Sequence, residues 1–197
     1  PQRTQNPVWS PDSKWVAYAS RLKSLYHAIF ISNVDTGETK QVTDGLADSV
    51  WPAWDANGKY LWFLASTDFG LRSQWLDMTS YDRQENFALY FAVLKKGDPS
   101  PLLPESDEDQ GVGSAPAGGR GGRGAAADAD RSGEEPAAPR APRTPVTVQI
   151  DFAGIQQRIL PVPGIPERQY SQLRAGVAGT VYYLEAGAGG GRGGDDE

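Results

Sequence analysis

The chain has no cysteine, a single histidine and a single methionine in 197 residues. Without thiols there are no disulfides, no thiolate nucleophile and no cysteine-ligated metal site. The compartment stays open on this ground, because a reduced cytosol and a disulfide-free secreted protein look alike. One histidine is too few for a His-pair zinc motif, and no G-x-S-x-G string or phosphate-binding glycine loop occurs either. Runs of about 18 apolar residues are missing, so no segment is expected to span a bilayer as a helix. Basic residues are also short: 19 Lys and Arg stand against 25 Asp and Glu, giving a net charge of −6 and a pI near 4.9. That balance argues against a nucleic-acid or anionic-membrane partner, which calls for clustered Lys and Arg. The chain opens at Pro1 with no charged-then-apolar leader and reads as an excised segment.

Glycine, alanine and proline are abundant but unevenly placed. Residues 111–145 hold eight Gly, nine Ala and five Pro, with Val112 as the only large aliphatic side chain. Such a stretch buries too little apolar surface to offset the entropy of ordering it. We therefore expect residues 105–145 to be a flexible, disordered low-complexity linker. Residues 187–197 have the same character and are expected to form a frayed tail. Foldable sequence is limited to residues 6–104 and 146–186.

Within it lies an internal repeat. Residues 7–20, PVWSPDSKWVAYAS, match residues 52–65, PAWDANGKYLWFLA, at an offset of 45 that pairs Trp9 with Trp54, Trp15 with Tyr60 and Tyr18 with Phe63. Residues 28–37 match residues 88–97 at an offset of 60, so the second copy carries a 15-residue insertion between Thr67 and Glu85. A period near 45 residues suits a four-stranded propeller blade.

Local chemistry favours strands. In Ser10-Pro11-Asp12-Ser13 the proline presets φ for the first corner, and Asp55-Ala56-Asn57-Gly58 ends on residues that tolerate φ above zero. The following stretches, 15–19 and 60–64, are apolar on both alternating faces, as a sheet buried on both sides requires. The expected fold is all-β: a partial β-propeller of about two four-stranded antiparallel blades, residues 6–43 and 50–103, plus the start of a further blade in 146–186. Outer strands are expected near 40–43 and 100–103. Val146 to Asp151 reads as a strand, and 180–184 as another, with Tyr183 standing where Tyr18 and Phe63 stand.

Catalytic and metal signals are few. His27 lies just before a strand and reads as a strand-edge imidazole, since a catalytic base needs a placed nucleophile and an orienting acid. Ser20 and Lys23 have the spacing of a Ser/Lys pair, but they leave a strand for a loop instead of sharing a helix face. Asp128 to Gly133 imitates half a calcium loop, yet Pro139 stands where its closing glutamate belongs. No catalytic residue, metal site or cofactor is expected. The Gly-Arg run from Gly118 resembles RNA-binding RGG tracts, but without interleaved aromatics it reads as a flexible insert. The insertion in the second copy is the better candidate. Long loops on rigid scaffolds tend to carry binding, and this one offers Arg72, Trp75, Asp77, Asp82 and Arg83 as candidate contacts for a substrate in passage.

Trp9 to Lys14 followed by a β-rich stretch resembles the repeat of TolB-type and tricorn-type propellers. Three further strings, 76–80 (LDMTS), 99–108 (PSPLLPESDE) and 150–163 (IDFAGIQQRILPVP), resemble the propeller region of tricorn protease homologues. That resemblance implies a serine-type peptidase parent with a PDZ-like module and a catalytic region elsewhere, further blades in cis, peptides or unfolded polypeptide as substrate, and a cytoplasmic location. It leaves a homo-oligomer open. This segment would then shape peptide passage and perform no chemistry. The alternative is a TolB-like propeller that binds proteins and has no enzymatic activity.

Overall fold

The computed structural model describes residues 4–68, 85–102 and 146–186. They form ten strands, β1 (Thr4–Trp9), β2 (Trp15–Arg21), β3 (His27–Asn33), β4 (Thr39–Gln41), β5 (Asp48–Trp54), β6 (Tyr60–Ser66), β7 (Ala88–Val93), β8 (Ile159–Pro161), β9 (Tyr170–Ala175) and β10 (Val181–Glu185), with a short 3₁₀ turn at Ile155–Arg158. All ladders are antiparallel. β1 to β4 form one four-stranded meander, β5 to β8 a second, and β9 and β10 a hairpin. The fold is all-β, with open sheets consistent with a partial propeller. No helix among the described residues is long and apolar enough to cross a membrane.

The repeat is conformational as well as sequential. The first strand of each unit carries one residue in the left-handed region, Asn6 (φ 52°), Trp51 (φ 56°) and Gln172 (φ 53°). At each of these points the ladder to the second strand skips register. A non-glycine residue with positive φ is uncommon, so three at one equivalent place define a bulge that each unit repeats. The hairpin turns repeat too. Ser10 N–H donates to the Trp15 carbonyl at 2.8 Å and Asp55 N–H to the Tyr60 carbonyl at 3.0 Å, while the shorter third turn closes from Gly176 N–H to the Thr180 carbonyl at 2.8 Å.

Ladder register then fixes which residues correspond. Trp9 faces Val16, Trp54 faces Leu61 and Ala175 faces Val181. Tyr18, Phe63 and Tyr183 therefore hold one position. Across the next ladder Tyr18 stacks on Phe30 and Phe63 on Tyr90, each with ring centroids 5.9 Å apart and planes 15° and 14° from parallel.

Two regions depart from expectation. The fourth strand of the second sheet is β8, which pairs with β7 through Tyr90↔Pro161, Phe91↔Leu160 and Ala92↔Ile159. Ser100 to Leu102, expected to begin that strand, form a turn and no ladder. Residues 103–145 thus interrupt the second sheet; they do not follow it. Residues 146–151 also make no ladder, although their β-branched side chains suggested a strand. Their polar groups go elsewhere: Val148 N–H donates to Asp12 Oδ2 at 3.0 Å and Asp151 N–H to the Leu94 carbonyl at 2.9 Å. Arg158 fastens the return by donating to the carbonyls of Val93 at 3.0 Å, Ala153 at 3.1 Å and Asp151. Gly58 in the facing turn has φ +71°, and a Cβ there would lie 2.8 Å from Val146 Cγ1, so the strip and the turn fit only with glycine.

Apolar residues fill both sheet-to-sheet gaps. Ala17, Ala19, Ile29, Ile31 and Val42 of the first sheet meet Trp54, Leu61, Phe63 and Ala92 of the second, with Val148 and Ile155 sealing the layer. On its other side the second sheet presents Val50, Tyr60, Trp62, Leu64 and Phe91 to Tyr170 and Leu173 of the hairpin. Each large side chain so buried contributes about 1.5–3 kcal/mol relative to exposure. The first gap also has a directional tie, since Trp54 Nε1–H donates to the Val8 carbonyl at 3.1 Å.

Candidate functional site

The pairs Arg21↔His27, Asp48↔Ser66 and Glu185↔Tyr170 lie at corresponding ends of their ladders. They mark one rim, from which the insertion of the second sheet also departs and to which it returns. His27, the first residue of β3, has Nδ1 2.7 Å from Asp48 Oδ1, and its backbone N–H donates to the same oxygen at 2.6 Å. Asp48 is buried at the start of β5, so this carboxylate joins the first sheet to the second. The reading of His27 as a strand-edge imidazole matches its place, and its partner is an acid the sequence did not single out.

The insertion is gathered at its base. Asp68 N–H donates to Ser66 Oγ at 3.1 Å, and Asp68 Oδ2 accepts from the backbone and side-chain N–H groups of Asn86 at 3.3 and 3.4 Å. One carboxylate thereby ties the outgoing chain to the incoming chain. Next along the rim, Phe87 N–H donates to the Arg168 carbonyl at 2.8 Å. The Arg168 guanidinium pairs with Glu185 at 2.5 Å on the surface, and that hydrogen bond, with the carboxylate charge, raises the guanidinium pKa above its ordinary value.

Arg72, Trp75, Asp77, Asp82 and Arg83 lie outside the described residues. What the structure brings together is the frame beneath them: His27, Asp48, Ser66, Asp68, Asn86, Arg168 and Glu185. Of these only Asp68 fell within the stretch marked from sequence. Asp48, Arg168 and Glu185 carried no local signal, because each matters through a partner distant in the chain. The Ser20 and Lys23 spacing stays unproductive, with Ser20 in the β2 ladder opposite Ala28 and Lys23 in the turn beyond it. The calcium-like string 128–133 lies outside the described residues. Among the described residues no three His, Asp or Glu side chains converge as metal ligands would.

The opposite end of the sheets is structural. Asp12 accepts from Ser10 Oγ–H at 2.6 Å, Lys14 N–H at 3.2 Å and Val148 N–H at 3.0 Å. Burial pushes its pKa up, but these donors and the Lys14 charge outweigh burial and hold it below the usual carboxylate value. Asp55, wholly buried, accepts from Trp62 Nε1–H at 3.0 Å, Asn57 N–H at 3.0 Å and Gly179 N–H at 2.9 Å. The two turns thus use a carboxylate to hold the next piece of chain. Neither a protein-family model nor a curated protein matches this sequence.

Proposed function

We propose that this chain is a non-catalytic propeller segment of a tricorn-type serine peptidase, shaping or gating the passage of peptides to a proteolytic site elsewhere in the full protein. The observation that carries the reading is the rim: stacked sheets of one repeated kind place the long insertion between anchors at Asp68 and Asn86, beside the exposed Arg168–Glu185 pair. A rigid frame beneath a charged loop suits transient contact with extended chains, which needs many weak polar contacts and no catalytic group. One string that supports the family resemblance, 150–163, forms the return strip and β8, and so belongs to the sheet framework. The hydrolysis itself, an activated serine attacking a peptide carbonyl beside an oxyanion hole, belongs to the rest of that protein.

Fluorescence anisotropy with labelled unstructured peptides of acidic and basic composition tests the passage role. Acidic peptides should bind the chain without being cleaved, and replacing Arg72 and Arg83 together by Ala should weaken them about tenfold, the scale of one charge-assisted hydrogen bond. Binding that is absent, or indifferent to peptide charge and to both substitutions, would remove this role and leave the TolB-like scaffold. The sequence downstream separates the two parents: a PDZ-like module followed by a serine-peptidase domain, or an end soon after ring closure.

A further inference from the structure

The stacking leaves two sheet faces open, and they are the two halves of a contact the chain makes internally. Each unit lays one face on the preceding unit. In the second sheet that face is Trp54, Leu61 and Phe63, and it covers the small aliphatic residues Ala17, Ala19 and Ile31. The same face of the first sheet is Trp9, Val16, Tyr18 and Phe30, by register. Trp54 is 5% exposed, whereas Trp9 in the identical position is 61% exposed. At the other end, the face of β10 turned away from the second sheet carries Tyr182 and Leu184, 64% and 55% exposed.

We infer that a second copy of this chain occupies the Trp9 face, docking head to tail so that its Tyr182 and Leu184 meet Trp9 and Tyr18. The geometry follows from the internal contact. Val8, whose carbonyl accepts the Trp54 indole N–H, corresponds through the ladders to Arg174, since Val8 faces Ala17 and Arg174 faces Tyr182. The Trp9 indole N–H is then positioned to donate to the Arg174 carbonyl of the second copy. A head-to-tail contact uses different faces on its two partners, so it propagates into a ring or an open string and does not stop at a two-fold dimer. It depends on sheet stacking alone and stands whether or not extended peptides bind.

Sedimentation velocity on the full chain over a wide concentration range tests it. The chain should associate progressively, and either Trp9→Ala or the pair Tyr182→Lys with Leu184→Lys should reduce association at least about tenfold, the usual consequence of losing an aromatic anchor. All the altered side chains are exposed, and unchanged circular dichroism and melting would confirm that each variant folds. Mixing the two variants is decisive. Each retains the face the other lacks, so together they should form a one-to-one pair that neither forms alone. A chain that stays monomeric throughout, association that persists in both variants, or a mixture that fails to pair would each overturn the inference.

Discussion

Trp9 and Trp54 hold the same position in successive copies, yet their environments differ as surface differs from core. Trp54→Ala should cost about 3–5 kcal/mol, the range for deleting a buried aromatic, while Trp9→Ala in the monomer should stay within about 0.5 kcal/mol; urea unfolding at a concentration where the chain is monomeric measures both. Asp12 makes the acid response specific. Its folded pKa lies below its unfolded value of about 3.9, so its stabilisation is fully present above that value and is lost as pH falls through the folded pKa. Asp12→Asn should therefore lower the melting temperature at neutral pH and flatten its fall between neutral and strongly acidic solution. An unchanged acid slope would mean that other carboxylates dominate the response.

At the scale of elements, the second sheet is assembled from both sides of residues 103–145. The first three strands of each unit were legible because turn residues and apolar runs recur at fixed offsets, and the conserved register of Tyr18, Phe63 and Tyr183 follows from that repetition. β8 was not legible. A strand of three residues carries almost no pattern, and Ser100 to Leu103 stood at the expected distance after β7. Residues 146–151 misled for a different reason: β-branched residues favour extended backbone, and extended backbone is what they adopt, with N–H groups spent on Asp12 and Leu94 in place of a ladder. Closing a loop costs about 0.6 kcal/mol per doubling of its length. Halving residues 105–145 should thus preserve both sheets and raise stability by about that amount, whereas deleting Ile159–Pro161 should lay bare the β7 edge and lower the melting temperature by several degrees. Thermal melts of the two deletions distinguish an interrupted sheet from a finished one.

At the scale of the whole molecule, two sheets and a hairpin repeat one stacking step, and the step has no natural end within the described residues. Units of this kind depend on neighbours for much of their stability, which is why the open Trp9 and Tyr182 faces matter as much as the buried layers. The rim follows from the same arithmetic of the repeat: equivalent strand ends gather at one side, so residues far apart in the chain, such as His27 and Asp48, become neighbours. A local motif search cannot find such a site, because what places its members together is the stacking, and only the insertion, a break in the repeat, drew attention to the right end.

The claim beneath all of this is that the second unit is a four-stranded sheet of the same kind as the first, completed from beyond the long interruption. A chain without cysteine makes a direct test simple. Tyr90→Cys with Pro161→Cys places two thiols on directly opposed β7 and β8 residues, within the range of about 4.4–6.8 Å between Cα atoms that a disulfide tolerates. Mild oxidation should link them within one chain at high yield, while Tyr90→Cys with Leu102→Cys should stay reduced. Efficient linkage of the second pair and none of the first would contradict the account.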